Sequence, residues 1–192
     1  MIPRHFRLAA LLFASLALPA AAAEYNAIDA AKSQLGFSYQ QMGVKMDGSF
    51  NRFAARLKFD PAKPAVASAS FDVQLNSIDA GSADANQELA GKEWFDSARY
   101  PLAQFVATRI APLGGNRYQV TGNLTIKGRS REVSAPVTFT PNGNSAVLEG
   151  GFTIQRSDFA IGEGSWADVS IVANPIQIRF KLLAAVGNTA GK

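Results

Sequence analysis

From Leu35 onward the chain alternates apolar and polar residues with the two-residue period of half-buried β-strands. Leu35, Phe37 and Tyr39 share one face, after a short segment begun by Tyr25 and Ile28. Val44, Met46, Gly48 and Phe50 follow on even positions, and beyond Asn51-Arg52 the phase moves to Phe53, Ala55, Leu57 and Phe59. A phase switch inside one extended run predicts a bulge or corner. Ala69, Phe71, Val73 and Leu75 predict the next strand, after the turn chemistry of Asp60-Pro61 and Pro64. The pattern resumes through residues 102–110, Tyr118 to Ile126, Val133 to Phe139, Leu148 to Ile154, a short Val169–Ile171 and Ile176 to Leu182. Gly114-Gly115-Asn116, Lys127-Gly128 and Asn142-Gly143 mark hairpin turns between them. Pro136 interrupts one strand and must point outward or sit at an edge or bulge.

Only Asn76 to Phe105 breaks this rhythm. Asp79-Ala80-Gly81 turns the chain, Ser82 is a good N-cap, and Asp84 complements the dipole of a two-turn helix. Ala85 and Leu89 face one way, Gly91 suits the position just past the helix, and Trp94-Phe95 follow as anchors. Strands at regular spacing with one helical interruption predict a mainly β fold. The pattern suggests an antiparallel sandwich or a single closed β-barrel of about eight strands with a short helical insertion near one opening, and closure would leave no exposed edge. About eight strands enclose room for one small ligand, and Asn76–Phe105 would gate or plug it.

The first 23 residues read differently. Arg4 and Arg7 precede the apolar run Leu8–Leu18, and Ala21-Ala22-Ala23 offers a cleavage site. That is a secretory signal peptide, so residues 24–192 form the exported, periplasmic domain, with a disordered tail at 186–192. The run is too short for an integral membrane span, and transient contact with a membrane surface is the most that is expected. Cleavage lowers the formal charge from +4 to +2, and no dense basic face argues for nucleic acid.

Absences narrow the chemistry. The chain has no Cys, and its one His, His5, leaves with the signal peptide. The usual nitrogen–sulfur metal sites and His-dependent nucleophiles are therefore outside its repertoire, and no metal, cofactor or catalytic residue is expected. Carboxylates remain. Asp96, Asp158, Glu163 and Asp168 fall in loops and carry the alternative reading, a carboxylate-based enzyme acting on an apolar substrate. A third reading, an outer-membrane barrel, requires a polar interior and longer strands.

The motifs resemble one family. SQLGFSYQQMGV (33–44), GSFNRF (48–53), KFDPAKP (58–64), SIDAGS (77–82), EWFDSARYP (93–101), VTGNLTIKG (120–128) and QRSDFAIGEG (155–164) occur in the order typical of YceI-like proteins. The resemblance covers Tyr25 to about Leu183. It implies a lipocalin-like barrel filled by a polyisoprenoid or quinone-like lipid, held for storage or transport without catalysis. Many members carry His where this chain has Gln41, so a head-group contact there would be an uncharged hydrogen bond. After the SIDAG-like turn only the acid of a common basic–acidic pair remains, as Asp84.

The expected cavity lining is Phe37, Tyr39, Phe50, Phe71, Leu75, Trp94, Phe95, Phe105, Phe152, Ile154, Phe159 and Trp166, with Gln41 and Arg156 as head-group candidates. Each aromatic taken alone reads first as core, and only the set, inside a closed barrel, points to a ligand cavity. Arg156 and Asp158 read first as an ion pair pinning their loop, and Lys127, Arg129 and Arg131 as a solvated turn. The expected partner is an isoprenoid or other long-chain apolar small molecule.

Overall fold

The structure, a computed structural model, describes residues 24–187. The proposed signal peptide and residues 188–192 lie outside that span. Ten strands and one α-helix follow in order: β1 (Tyr25–Gln41), β2 (Val44–Phe50), β3 (Phe53–Lys58), β4 (Ser68–Gln74), β5 (Ile78–Asp79), α1 (Ala83–Ala90), β6 (Leu102–Gly114), β7 (Arg117–Ile126), β8 (Arg129–Asn142), β9 (Ser145–Gln155) and β10 (Pro175–Val186).

They form one antiparallel sheet in the order β3-β4-β6-β7-β8-β9-β10-β1-β2-β5. β3 at one end of this order and β2, the last long strand at the other, are consecutive in the chain. β2 pairs with β1, and after the bend at Asn51-Arg52 the same extended run continues as β3 against β4. The phase switch in the sequence is this corner. The sheet therefore curls into a half-barrel, with β1 and β3 adjoining along the seam. Tyr25 and Phe59 exchange two backbone hydrogen bonds across it, at 2.8 and 3.0 Å. Taken as one bent strand, β2–β3 leaves eight long strands plus the two-residue β5.

Inward positions are apolar and outward ones polar, as along Ala135, Val137 and Phe139, which are buried while Ser134, Pro136 and Thr138 are exposed. Pro136 thus faces outward, one residue before β8 begins pairing with β9 at Val137. Three inward glycines, Gly48, Gly122 and Gly150, lie under aromatic rings of an adjacent strand. A Cβ on Gly48 would run into the Phe37 ring, and one on Gly150 would meet the Phe180 ring at 2.7 Å. The core has two halves, both touching Phe152. The half remote from α1 is stoppered by edge-to-face rings: Phe59 on Tyr118 at 5.0 Å, Phe59 on Phe139 at 5.1 Å and Tyr25 on Phe139 at 5.1 Å.

Several expectations need correction. The segment at Tyr25 is no separate element but the start of a 17-residue strand, irregular between Asp29 and Gln34. Val169–Ile171 is a turn, and only Val172 bridges to Gln41. Ser82 caps α1 through the Ala85 N–H at 3.2 Å, but Gly91 ends it with φ −69°, so no left-handed residue was required there. Val186 belongs to β10 rather than to a tail: it pairs with Tyr25 and donates to the Asn144 carbonyl at 2.8 Å.

Candidate functional site

Every strand contributes at least one side chain to the wall of a cavity of about 570 Å³ inside the curl. That size falls within the range of small-molecule sites. β1 and β2 supply Phe37, Tyr39 and Phe50; β4, β6 and the turn after β4 supply Phe71, Phe105 and Leu75; β9 supplies Phe152 and Ile154. Burial raises the pKa of the Tyr39 hydroxyl, and of Tyr118 at the far end. The apolar interior and polar exterior are the inverse of a membrane-spanning barrel.

At the α1 end, Trp94, Phe95 and Trp166 complete the wall. Trp94 and Phe95 are only 6% and 9% exposed and belong to the packed core, so they form a fixed plug. Hydrogen bonds from Phe95 N–H to the Leu89 carbonyl (3.0 Å) and from Asp96 N–H to the Gly91 carbonyl (2.8 Å) hold the segment against α1. Trp166 is only partly buried. Its ring lies 5.4 Å from that of Trp94, and its indole N–H donates to the Glu88 carboxylate at 2.7 Å. Phe159 does not line the cavity. At 1% exposure it packs behind the wall, on the single helical turn Arg156–Phe159.

Arg156 is the keystone of the surrounding loop rather than half of an ion pair with Asp158. It is 1% exposed, and burial lowers its pKa. Nε and Nη2 donate to the Val172 carbonyl at 3.2 and 2.8 Å, Nη1 to those of Ile161 (2.9 Å) and Gly162 (2.7 Å), and Nη2 to that of Trp166 (2.8 Å). The guanidinium has five N–H donors, and these bonds engage them all. None is left for a head group, so Arg156 acts on the mouth by shaping it. Its charge also lies over the Trp94 ring, 5.8 Å from the centroid.

Lys127 departs further from expectation. Its backbone adopts φ 50° in the β7–β8 turn, and its side chain is 9% exposed. Nζ donates to the carbonyls of Lys92 and Ala160, both at 2.7 Å, and to Glu163 at 3.1 Å. It ties three rim segments together. Sequence could have signalled this only through the Lys-Gly dipeptide, which fixes a tight turn but names no partner.

The polar groups reaching the cavity at this end are few. Gln41 lines it, at the end of β1, where Met42 N–H donates to the Ile171 carbonyl at 2.8 Å. Asp84 and Glu88 line it from α1. Asp96, Asp158, Glu163 and Asp168, the four carboxylates of the enzyme alternative, are not part of the wall. Glu163 faces Lys127 and Arg129 instead, and Asp168 turns back on the Ser170 N–H at 2.8 Å. Sequence reading placed Asp84 on the helix for its dipole and passed over Glu88. Their i, i+4 spacing was the available signal.

The model of the YceI-like domain matches residues 27–184. The chain belongs to the YceI-like family. A UPF0312 protein of Shewanella denitrificans is 35% identical over 136 residues, 68% of this chain and 69% of that protein. Another, from Vibrio cholerae, is 26% identical over 154 residues, 76% of this chain and 78% of its own length. Among solved structures, BcnA of Burkholderia cenocepacia superposes with a TM-score of 0.81 at 46% identity, covering 83% of this chain and all of BcnA. A polyisoprenoid binding domain from Saccharophagus degradans, implicated in plant cell wall breakdown, shares the fold with a TM-score of 0.65 at 17% identity, over 85% of this chain and 98% of that domain.

Proposed function

We propose that this YceI-like protein is an exported, periplasmic binding protein that encloses one long apolar molecule, an isoprenoid or quinone-like lipid, for storage or transport. The observation that carries this reading is the cavity: about 570 Å³, walled by apolar side chains of every strand, stoppered by aromatics at one end and edged by a few polar groups at the other. Burying about ten methylenes yields roughly 8 kcal/mol gross, part of which offsets ordering of the chain. The polyisoprenoid-binding name of the Saccharophagus domain supports the same ligand class. No chemical step is proposed.

The test is native mass spectrometry of protein recovered from the periplasm of its own host, followed by delipidation and titration with all-trans geranylgeraniol. A co-purifying lipid mass, or stoichiometric uptake of the added prenol, is the expected result. A chain that stays empty in both experiments refutes the reading. N-terminal sequencing of the same material should begin at Glu24, and retention of the intact N-terminus in the cytoplasm would dispose of the export proposal.

A further inference from the structure

The cavity ends before the barrel does. In the half remote from α1, Phe59 and Tyr118 line it, while Tyr25, Phe139, Ala146 and Ala184 belong to the same packed cluster but are not part of its wall. These four are 0–4% exposed, so the interior beneath the two rings is filled. Tyr118 also meets Phe139 edge to face, 6.5 Å between centroids. The backbone hydrogen bonds between Tyr25 and Phe59 tie the chain together at the same level. Rings packed at interior density have no free volume to step aside into.

A second observation comes from the wall just above them. The next inward position from Tyr118 is Val120, paired with Ala135, and the next from Phe59 is Leu57, paired with Ala69. All four line the cavity. The change from alanine and aliphatic side chains to packed rings gives the lumen a sharp end. At the α1 end the wall instead finishes among polar side chains, with Asp84 and Glu88 exposed. The lumen therefore has one end of solid packing and one that gives onto polar groups and water.

We infer that Phe59 and Tyr118 form a floor that sets the length of the bound chain, so that the cavity prefers one size of isoprenoid over shorter and longer ones; the inference rests on the lipid-binding reading above. For a chain taken from a bilayer, already out of water, burial in the cavity brings no transfer gain, and fit decides. A short chain leaves part of the lumen without contacts, the loss that any void carries. A long chain cannot pass the floor. Its surplus carbons stay at the mouth in water, where each methylene costs about fourfold in affinity. Both losses grow away from a single length, so the preference has a maximum.

Competitive loading tests this. Delipidated protein is incubated with phosphatidylcholine vesicles holding equimolar all-trans-prenols of three to nine isoprene units, then separated, and its bound prenols are counted by native mass spectrometry. One length should exceed the next longer one by at least about fivefold, given the cost of each stranded methylene. Tyr118→Ala removes a ring about the size of one isoprene unit and should move the maximum about one unit longer. Ala69→Leu adds bulk above the floor and should move it about one unit shorter. This second variant keeps the test decisive where Tyr118→Ala does not fold. A bound mixture that mirrors the vesicles overturns the inference, as does an unmoved maximum in a variant with the native circular dichroism spectrum. Prenol is still bound in both cases, so the lipid reading stands. A native protein that takes up no prenol of any length removes both.

Discussion

Trp166 and Glu88, 78 residues apart in sequence, are joined by an indole-to-carboxylate hydrogen bond of 2.7 Å across the end of the cavity. The same loop is held a second time by Ser165, whose hydroxyl donates to Glu93 at 2.7 Å. The Gly164–Trp166 turn is thus latched to α1 and its following segment, and Trp166, rather than Trp94, has the exposure a movable cover needs. Glu88→Ala should speed dissociation of a bound prenol about fivefold, as loss of roughly 1 kcal/mol implies, and lower the melting temperature by about 2–4 °C. Stopped-flow release into lipid vesicles measures the first. An unchanged release rate alongside a solvent-exposed Trp166 emission would show that the latch does not limit exit.

Trp94 behaves differently because it is core. Trp94→Ala should cost about 3–5 kcal/mol, enough to unfold much of the protein near its melting point. Trp94→Phe removes the buried N–H that has no partner, so the lost volume is partly offset and the cost should stay near 1 kcal/mol. Urea denaturation of both variants checks this. Equal destabilisation by the two would mean that the indole N–H has a partner in solution.

Arg156→Lys should be poorly tolerated despite conserving charge. One ammonium offers three donors in place of the planar fork that serves four carbonyls. Leaving buried carbonyls unpaired should cost about 3 kcal/mol or more, seen as a melting temperature about 6–12 °C lower. Hydrogen exchange should locate the damage in residues 156–174 and spare β6–β8. Uniform loss of protection would assign Arg156 to the whole sheet.

Gly48→Ala tests how tightly the wall is drawn. The added methyl would run into the Phe37 ring and lie 2.7 Å from the Asp79 carbonyl oxygen. One contact is with a movable side chain and the other with backbone, so a cost of about 1–3 kcal/mol is expected. Displaced into the cavity, Phe37 should also reduce prenol capacity. Full stability with unaltered binding would indicate that β2 can shift away from β1.

Acid should destabilise the fold chiefly below pH 4. The Asp72 carboxyl is held below its ordinary pKa, first by the Gln104 amide and then by Arg56, both at 2.9 Å. Arg179 does the same for the exposed Asp47. A folded pKa below the unfolded value of about 3.9 means that the stabilisation is present above that pH and fades as pH falls through the folded pKa. Melting temperature should therefore be nearly level from pH 6 to 8, where a chain with no Cys and only His5 has almost nothing to titrate, and drop below about pH 4. Asp72→Asn should make that drop shallower. A drop as steep as in the native protein would place its cause elsewhere.

The repeating pattern of apolar positions determined much of this molecule by itself. Side chains on a strand alternate faces, so the identities at Phe37, Phe50, Phe71 and Phe152 were enough to point them inward. The phase change at Asn51-Arg52 was enough to bend the run that passes from β2 to β3. Ser82 and the apolar pair Ala85 and Leu89 likewise marked the helix and its inward face, because capping and helical spacing are local.

Tertiary structure alone decided the rim. Arg156 and Lys127 draw their roles from backbone carbonyls, which every residue possesses and no sequence pattern singles out. A charged residue with such partners reads in sequence as one awaiting a carboxylate, as Arg156 did with Asp158. Phe159 was aromatic and well placed, yet a tight helical turn carried it behind the wall. Trp94 and Trp166 share a side-chain chemistry. Their separation into fixed plug and exposed cover follows from which segments pack over them, a matter of contacts between residues far apart in the chain.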